Sequence, residues 1–520
     1  MKLEKRFRES VCRQFPDKSD QEQIFKALDY AKEKHAGQKR LSGESYIIHP
    51  ISVANILLEW NMDRDSIIAG LLHDTVEDTD ATLGDITRMF GSNVALLVDG
   101  VTKVGQARAG MQDIDHYLPQ TKDNLTKLLV ATGQDVRVIM IKLADRLHNL
   151  RTLQYQPRNK QLKIARESLE IFGPLADRLN MGRVRVQIED LSFKYLAPKR
   201  YEKLRHEINS RISRSKQSLE DIKKEVSQKL TDEGIKFRID GRIKSVYSLH
   251  KKLTNKHANI DDIYDLIALR VIVDDITTCY LVLGLIHQMY RPLIGRIKDY
   301  ISRPKPNGYQ SLHTTVETPK GQIVEFQIRT EQMHEYAEHG LAAAFHYNEQ
   351  KVNDSYKNGT LAPLPADLRW IQELQAAAGK LRQGEKVNLD DLKVNLFSDR
   401  IFVNSPNGDI FDLPAGSLPL DFAYQVHSEV AAKAAGFKIN GKIARFDQPL
   451  KSGDTVEVIT RRNVIPRVDW LNKIVTSHAR SKLRAQLRKA EAERLEREYG
   501  RDYKRAKGER PESHSKQRNK

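Results

Sequence analysis

Cysteine is nearly absent from the sequence, with two residues in 520, Cys12 and Cys279. Two cysteines so far apart exclude a four-cysteine zinc site and a disulfide framework. No apolar run reaches the ~18 residues that a membrane-spanning helix needs. The N-terminus MKLEKRFRES also lacks the apolar core of a signal peptide. We therefore expect a cytoplasmic protein with no membrane partner.

Two common nucleotide-binding loops are also missing. The sequence contains neither a Walker loop nor a G-x-G-x-x-G loop, which excludes a P-loop NTPase and a Rossmann enzyme. Its length suffices for about three to four domains, and 39% hydrophobic residues provide for several cores. The net charge of +17 favours polyanionic partners such as nucleotides, tRNA or ribosomal RNA, without choosing among them.

The most informative stretch, residues 296–316, reads RIKDYISRPKPNGYQSLHTTV. Lysines and arginines stand beside Tyr300 and Tyr309 on a segment stiffened by Pro304 and Pro306, and residues 311–316 are predicted to form a strand. Cations neutralise phosphate charge, and stacking of a tyrosine on a flat base contributes ~1–3 kcal/mol of binding free energy per base. The pattern favours a nucleotide polyphosphate site over the alternative, a basic surface loop.

Residues 1–180 are predicted to be helical, because apolar residues recur at helical spacing. Three polar groups interrupt this pattern. They are Arg40, Ser45 and Tyr46 before His49, then His73-Asp74 before Glu77-Asp78, and finally Asp145 with His148 and Asn149. On a continuous helix, residues four apart share a face, so LLHDTVEDT pairs His73 with Glu77 and Asp74 with Asp78.

The His73-Asp74 pair follows an apolar run, where charge is costly unless a metal or a partner compensates. His49 and Asp145 would complete a set of two imidazoles and two carboxylates. Such a mixture suits Mn²⁺, Fe²⁺ or Zn²⁺ better than Mg²⁺, and Glu77 and Asp78 would then act on water at the metal. For a lone His-Asp pair the alternative is a capped helix end.

Beyond a charged helix, Lys199–Leu230, predicted to be a solvated spacer, the pattern changes to strands. Segments 235–239, 266–273, 312–317 and 323–328 are rich in β-branched and aromatic residues, and residues 279–290 are predicted to be a helix. Asp265 precedes one strand and Glu325 lies within another. If these strands are neighbours, the two carboxylates converge as Mg²⁺ ligands; otherwise each is a strand-end charge paired with an arginine. Phosphate contacts are predicted for Arg242, Lys244, Lys251 and Arg270.

Three segments, GQKRLSGESYIIHP, LLHDTVEDT and IKLADRLHNLRTL, resemble the hydrolase domain of the RelA/SpoT homologues, a family of HD-type phosphohydrolases. The resemblance implies an all-α domain that removes the 3′-pyrophosphate from guanosine tetra- and pentaphosphate with one Mn²⁺. It implies Mn²⁺ ligands at His49, His73, Asp74 and Asp145, a catalytic pair at Glu77 and Asp78, and nucleotide contacts at Arg40, Ser45, Tyr46 and Asn149.

The strand-rich region resembles the synthetase domain of the same family, an α/β nucleotidyltransferase-like fold. That domain moves the β,γ-pyrophosphate of ATP to the 3′-hydroxyl of GDP or GTP. The resemblance implies that Asp265 and Glu325 bind Mg²⁺ and that one of them helps to activate the hydroxyl. It places Arg242, Lys244 and Lys251 on the ATP phosphates, and Lys298, Lys305, Asn307, Tyr309 and His313 on the guanine nucleotide, with Tyr309 stacked on the base. The sequence Arg296-Ile297-Lys298-Asp299 is the basic form that accompanies bifunctional members.

The segment from Ile401 to Thr460 resembles the small β-grasp TGS domain of the family, which in ribosome-bound relatives touches the tRNA acceptor end. The resemblance implies tRNA or the ribosome as a partner, through this domain and the basic tail, with His427 as the candidate contact. The alternative for His427 is a hydrogen-bonded histidine on an amphipathic helix. Longer family members continue into a zinc module and an ACT domain, and we expect a short form that lacks both.

The predicted organisation is multidomain. It comprises 1–198, an HD-type hydrolase domain with a helical joint; 199–350, the synthetase domain; 351–395, a linker and helix; 396–462, the TGS domain; and 463–520, a helical, basic, partly disordered tail. The predicted function is a bifunctional alarmone enzyme of the stringent response that acts on ATP, GDP or GTP, and (p)ppGpp. The alternatives are an enzyme with one silent site and a ribosome- or tRNA-binding regulator with neither activity.

Overall fold

The structure, a computed structural model, describes residues 2–102, 124–255, 267–305, 307–340, 374–376, 379, 400–451, 453–461 and 463–506. The chain divides into two compact units, residues 1–387 and 388–520. Among the described residues, no helix combines the length and apolar character that a bilayer crossing requires.

The first unit begins with helices. They are α1 (Lys2–Gln14), α2 (Lys18–Lys34), α3 (Ile48–Glu59), α4 (Arg64–Leu72), α5 (Thr75–Asp78), α6 (Leu83–Phe90), α7 (Ser92–Val101), α8 (Asn124–Gln134), α9 (Arg137–Arg151), α10 (Arg158–Glu167), α11 (Gly173–Arg178) and α12 (Gly182–Leu196). Their starts follow local chemistry: the side chains of Asp17, Asp63 and Thr82 each accept a hydrogen bond from a backbone N–H in the first turn. The predicted helical character of this region is confirmed.

Helix α13 (Pro198–Asp232) is long and charged, but it is not the solvated spacer that its composition predicts. Leu204 and Ile208 pack with Phe193 in one hydrophobic cluster. Further along, Val226 and Leu230 belong to a second cluster, beneath the sheet. The apolar residues at helical spacing are therefore buried, and this helix joins the two packed regions of the unit.

A mixed sheet follows. Its strands are β1 (Phe237–Ile243), β2 (Ile267–Val273), β3 (Arg291–Pro292), β4 (Lys298–Asp299), β5 (Leu312–Glu317) and β6 (Ile323–Thr330), with helices α14 (Val246–Asn255), α15 (Ile276–Met289) and α16 (Glu331–His339). The order is β1-β2-β6-β5-β3, with β4 paired to β5. Strands β2 and β6 run parallel and the other pairs run antiparallel. The predicted mixed sheet is confirmed, with its first strand two residues later than expected.

The second unit contains a hairpin, a helix pair and a three-stranded sheet. The elements are β7 (Arg400–Asn404), β8 (Ile410–Pro414), α17 (Pro419–Val426), α18 (Ser428–Ala432), β9 (Ala434–Ile439), β10 (Lys442–Ala444), β11 (Val456–Thr460) and α19 (Ser477–Ala506). The start of α19 packs on the same core as the strands, through Ala479 and Leu483. Buried Asp421 accepts hydrogen bonds from Thr476 N and Oγ1 at 2.7 and 2.8 Å. The domain boundaries, the linker 351–395 and the tail end stay predictions, and most of the linker and residues 507–520 lie outside the described residues.

Two glycines with positive φ provide a test of the close packing in the first unit. Gly340 (φ +58) lies against the backbone of Leu179 and Asn180, where a Cβ would be 2.6 Å from Asn180 C, whereas Gly321 (φ +73) has open space around it. We expect Gly321→Ala to cost only the backbone strain of about 1–2 kcal/mol. Gly340→Ala should cost clearly more and lower the melting temperature further, as measured by thermal unfolding. Equal losses for the two variants would contradict the close contact.

Candidate functional sites

The first site depends on a helix that stops. The sequence pattern predicts one helix through LLHDTVEDT, but α4 ends at Leu72 and α5 starts at Thr75. The prediction of one continuous helix is therefore wrong, and the pairing of His73 with Glu77 stays a prediction. His73 Nδ1 lies 2.9 Å from the carbonyl of Gly70, a contact that fixes the ring and leaves Nε2 free to face the site.

Close packing of α3 against α4 brings a second histidine to this break. A Cβ on Gly70 would lie 2.5 Å from Leu57 Cδ1, so the absence of a side chain at Gly70 permits the approach. The Nε2 atoms of His49 and His73 are 3.2 Å apart. Asp74 completes a group of ligand atoms that all lie within 4.8 Å of one another.

Helix α9 supplies the fourth predicted ligand. Asp145 Oδ1 lies 3.4 Å from His49 Nε2 and 3.8 Å from His73 Nε2. The structure thus brings together all four predicted metal ligands, from helices α3 and α9 and from the turn after α4. Two imidazoles and two carboxylates facing one point form a donor set that fits a borderline transition metal.

The charges in this cluster depend on one another. Burial lowers the pKa of His73, but the adjacent Asp74 carboxylate raises it to about 9. Burial opposes ionisation of Asp74, and the two histidines hold its pKa well below its usual range. The carboxylates are therefore ionised and available to a cation at neutral pH.

The other predicted hydrolase residues surround the cluster. Tyr46 Oη donates to Asp74 Oδ2 at 2.9 Å and to Asp78 Oδ2 at 2.7 Å. Glu77 and Asp78 lie on α5, directly after the break. Asn149 Nδ2 donates to Asp145 Oδ1 at 2.5 Å. These residues are close enough to orient the cluster.

Arg40 lies at the edge of the same site, with Nη2 at 3.4 Å from Asn149 Oδ1, and Ser45 is exposed on the loop before α3. His148 is a residue to which sequence reasoning gave no role: its Nδ1 is 2.7 Å from His49 Nδ1. Burial and the neighbouring His49 lower the pKa of His148 to about 3. Its position three residues after Asp145 on α9 was the available signal.

The second site is a cavity of about 790 Å³ at the mixed sheet. Nine of the predicted synthetase residues line it: Arg242, Lys244, Arg270, Lys298, Lys305, Asn307, Tyr309, His313 and Glu325. Lys251 is not among the described lining residues; its Nζ lies 5.8 Å from the ring centroid of Tyr247, and Lys252 faces the cavity instead. Asp265 lies outside the described residues, so its predicted convergence with Glu325 stays a prediction. Strand β2 starts two residues after it, and Ala268 pairs with Glu325 across parallel strands.

We call residues 296–316 the basic loop. Its two tyrosines form an aromatic group around one lysine. Lys305 Nζ lies 4.9 Å from the ring centroid of Tyr300 and 5.0 Å from that of Tyr309. Tyr309 Oη is 2.9 Å from His313 Nε2, and His313 Nδ1 is 3.3 Å from Glu325 Oε1. Burial lowers the pKa of both Lys305 and His313. Lys305, Tyr309, His313 and Glu325 thus contact one another in this order along one wall of the cavity.

Positive charge in the cavity is not balanced by the residues around it. Ten lysines and arginines and three carboxylates are among its described lining residues. Arg270 and Arg329 share a single carboxylate oxygen, Glu338 Oε1, at 3.2 and 3.1 Å. The Nε of each of these arginines is buried without a hydrogen-bond partner. Burial, followed by the charge of Arg329, lowers the pKa of Arg270 to about 10. Such a site favours a polyanion.

Sequence reasoning missed several lining residues that a simple rule could have found. Glu325, Gln327 and Arg329 alternate along β6, so their side chains point to the same face. All three line the cavity, and Arg242 Nη1 donates to Gln327 Oε1 at 2.8 Å. Applying the period of two to β6 identifies them once Glu325 is chosen.

In the second unit, His427 is exposed between α17 and α18. Its Nδ1 accepts a hydrogen bond from Glu429 N at 3.3 Å and so caps α18. The position therefore has a local structural role, and the predicted tRNA contact stays a prediction.

The structure contains a helical domain with a histidine–carboxylate cluster, a mixed sheet with a cationic cavity, and a β-grasp unit. These features define a chain of the class that joins an HD-type domain to a nucleotidyltransferase-like domain. Residues 27–182 match the family described as HD domain, residues 241–352 the region found in RelA / SpoT proteins, and residues 401–460 the TGS domain. The chain belongs to the RelA/SpoT family, and the predicted fold class is confirmed.

Three curated relatives illustrate the similarity. A guanosine-3′,5′-bis(diphosphate) 3′-pyrophosphohydrolase of Aquifex aeolicus is 45% identical over 91% of this chain and 66% of its own length. A GTP pyrophosphokinase of Myxococcus xanthus is 42% identical over 93% of this chain and 63% of its own length. The bifunctional (p)ppGpp synthase/hydrolase SpoT of Escherichia coli is 42% identical over 88% of this chain and 64% of its own length. The chain spans slightly less than two thirds of the length of these relatives.

The shared carboxylate in the cavity leads to a stability prediction. Glu338→Gln removes the only negative charge that Arg270 and Arg329 share in the described structure, and we expect a loss of about 1.5–3 kcal/mol. Inorganic pyrophosphate should raise the melting temperature of this variant more than that of the wild type, because the anion replaces the missing charge.

The matched control for this prediction is Glu335→Gln on the same helix. Glu335 is exposed and lies 3.7 Å from His339, so its loss should change stability little. Thermal unfolding with and without pyrophosphate measures all three proteins. Indistinguishable behaviour of the two variants would contradict the assigned charge balance.

Proposed function

We propose that this protein is a bifunctional alarmone enzyme. In one site it transfers the β,γ-pyrophosphate of ATP to the 3′-hydroxyl of GDP or GTP, and in the other it hydrolyses the 3′-pyrophosphate of (p)ppGpp to GDP or GTP and pyrophosphate. The observation that carries the proposal is the presence of two chemically different sites in one unit, a histidine–carboxylate cluster and a cavity with excess positive charge. The names of the relatives include both activities.

In hydrolysis, the cluster of His49, His73, Asp74 and Asp145 would hold a divalent ion, and we propose Mn²⁺. The ion would supply positive charge for the phosphate oxygens and an activated water. The chain's own contribution is orientation and proton transfer: Tyr46 fixes Asp74 and Asp78 together through two hydrogen bonds. Glu77 and Asp78 would take the proton from the attacking water.

Around the hydrolase cluster, the remaining residues would bind the nucleotide. Arg40 presents a guanidinium at the edge of the site, held by Asn149 and Thr152. Ser45 lies exposed on the same loop. We propose that the Arg40 charge meets the 5′-phosphates or the 3′-pyrophosphate, which a planar guanidinium binds in bidentate fashion.

In synthesis, Glu325 and Asp265 would hold Mg²⁺, which would neutralise charge on the phosphates of ATP. Gln327 donates to Glu325 Oε1 at 2.9 Å, so the carboxylate has a fixed orientation from which one of its oxygens can accept the proton of the 3′-hydroxyl. Phosphoryl transfer depends mainly on positioning and charge stabilisation. The arginines and lysines that line the cavity are suited to both.

The proposed division of the cavity between two nucleotides uses residues that line it, with Lys251 as the one exception. We propose that Arg242, Lys244 and Lys251 serve the ATP phosphates. The guanine nucleotide would lie along Lys298, Lys305, Asn307, Tyr309 and His313, with its base on the Tyr309 ring, whose hydroxyl is fixed by His313. A restrained aromatic face loses little entropy when a base stacks on it.

We further propose tRNA or the ribosome as a partner of the second unit, in the cytoplasm. His427 is exposed at the N-terminus of α18, and helix α19 carries many lysines and arginines. Exposed cations on a helix give sequence-independent attraction to a nucleic-acid backbone. Binding of a tRNA acceptor fragment to wild type and to His427→Ala, measured at two salt concentrations, tests this partner.

The function is tested by two reactions with the purified chain. ATP and GDP with Mg²⁺ should give guanosine tetraphosphate, and guanosine tetraphosphate with Mn²⁺ should give GDP and pyrophosphate. One product alone would indicate an enzyme with one silent site. The absence of both would contradict the proposal and favour a binding regulator.

Two substitutions should separate the activities. Asp74→Asn should lower hydrolysis by at least ~10²-fold and leave synthesis near the wild-type rate, whereas Glu325→Gln should do the opposite. In each variant the retained activity serves as the control for correct folding. Simultaneous loss of both rates in either variant would contradict the assignment of the two residues to separate sites.

The ion requirement of the hydrolase is a separate prediction. Chelation should abolish hydrolysis, and Mn²⁺ should restore it better than Mg²⁺, because nitrogen ligands make up half of the proposed set. Calorimetric titration of Mn²⁺ into the chelated protein, with Asp74→Asn as the control, measures the site without turnover. Equal restoration by Mg²⁺ would contradict the ligand assignment.

A further inference from the structure

One wall of the cavity comes from a part of the chain outside the matched synthetase region. Asp177, Asn180, Arg185 and Gln187 are among the lining residues, and they lie on α11, α12 and the turn between them. The region found in RelA / SpoT proteins starts only at residue 241. We call residues 177–187 the corner.

The corner contacts the basic loop directly. Asn307 Nδ2 donates to the carbonyl of Asp177 at 3.1 Å, and Asp177 Oδ1 accepts from Arg185 Nη1 at 2.6 Å. Lys305 is also close to this pair: burial lowers the pKa of Lys305, and the Asp177 carboxylate is the first charge that opposes this. Asp177 thus combines a backbone contact to the loop with a counter-charge for its buried lysine.

The same corner packs against α16 with no room for added atoms. Asn180 Nδ2 donates to the carbonyl of Tyr336 at 3.0 Å, and a Cβ on Gly182 would lie 2.9 Å from the carbonyl of Ala337. A Cβ on Gly308, in the basic loop, would lie 2.8 Å from Tyr336 Oη. Corner, loop and helix α16 therefore fix one another, and the loop cannot shift without displacing the corner.

We propose that Asp177 and Arg185 are positioning residues of the transferase site, which hold the Lys305–Tyr309 loop in the geometry that binds the guanine nucleotide. This inference rests on the proposed function. The Arg185 side chain also faces the cavity with an Nε that has no hydrogen-bond partner. The pair links the loop to α11, which lies within the matched HD domain, and to α12, most of which lies between the two matched regions.

The test uses Asp177→Asn and Arg185→Gln in the full chain. Each should raise the KM for GDP about tenfold, change kcat by less than about twofold and leave the KM for ATP within about twofold, since tenfold corresponds to ~1.4 kcal/mol of binding free energy. Calorimetric binding of GDP without ATP should show the same loss. The double variant should be no worse than either single one if the two residues act as a unit, and Arg185→Lys should recover part of the affinity.

The matched control is Glu202→Gln, which removes a carboxylate from an exposed arginine pair on α13, where Glu202 Oε2 lies 2.7 Å from Arg205 Nη2. It should change neither KM. A rise of both KM values in the corner variants, additive effects in the double variant, a parallel loss of hydrolysis, or unchanged GDP binding would each overturn the proposal. Failure of the proposed function itself is distinguishable, because wild type would then make no product and Glu325→Gln would have no rate to lose.

Discussion

The constraint on which the cavity depends is positive charge held out of water without full compensation. Arg270 and Arg329 share one carboxylate oxygen and each retains a buried Nε without a hydrogen-bond partner. Removing a guanidinium from water is costly, and a single shared carboxylate offsets only part of that cost. The free energy of the empty cavity is therefore high, and an anion that supplies several oxygens lowers it. The sheet and α16 keep these groups together against their repulsion.

The hydrolase cluster has the opposite electrostatics. Asp74 and Asp145 are buried and ionised beside two histidines, so this site attracts a cation before it meets a phosphate. The cavity, in contrast, would present cations directly to the phosphates and would need an ion mainly at Glu325. The two sites would therefore bind the same family of nucleotides through different first contacts. This difference in charge, more than the difference in fold, separates the two proposed chemistries.

The sequence predicted the elements well because their signals are local. The apolar periodicity located α2, α3 and α4, and the β-branched runs located β2, β5 and β6 to within a few residues. The spacing of chemistry-bearing residues also predicted the set around His49 and His73, although the helix assumed between them is interrupted. The interruption could not be predicted, because LLHDTVEDT contains neither a proline nor a glycine that would mark it.

The features that the sequence did not predict share a physical cause. Lys251 and Lys252 are adjacent on α14, and the packing of the helix decides which of them faces the cavity. The roles of Glu338 and Asp177 depend on tertiary contacts between segments more than 60 residues apart. No local pattern distinguishes these carboxylates from exposed ones. The burial of α13 was missed for a similar reason, since its charged face dominates its composition while its apolar face meets two separate cores.

The location of the positive charge also discriminates between an enzyme and a nucleic-acid-binding regulator. Proteins bind an RNA backbone through exposed, solvated lysines and arginines, which carry no desolvation penalty in the free protein. Buried Arg329 and half-buried Arg270 do not suit such a surface, because guanidiniums withdrawn from solvent cannot reach a large polyanion. A cavity of about 790 Å³ with an aromatic wall instead matches ligands of nucleotide size. The exposed cations of α19 remain suited to RNA, so the two kinds of positive charge point to two different partners of one chain.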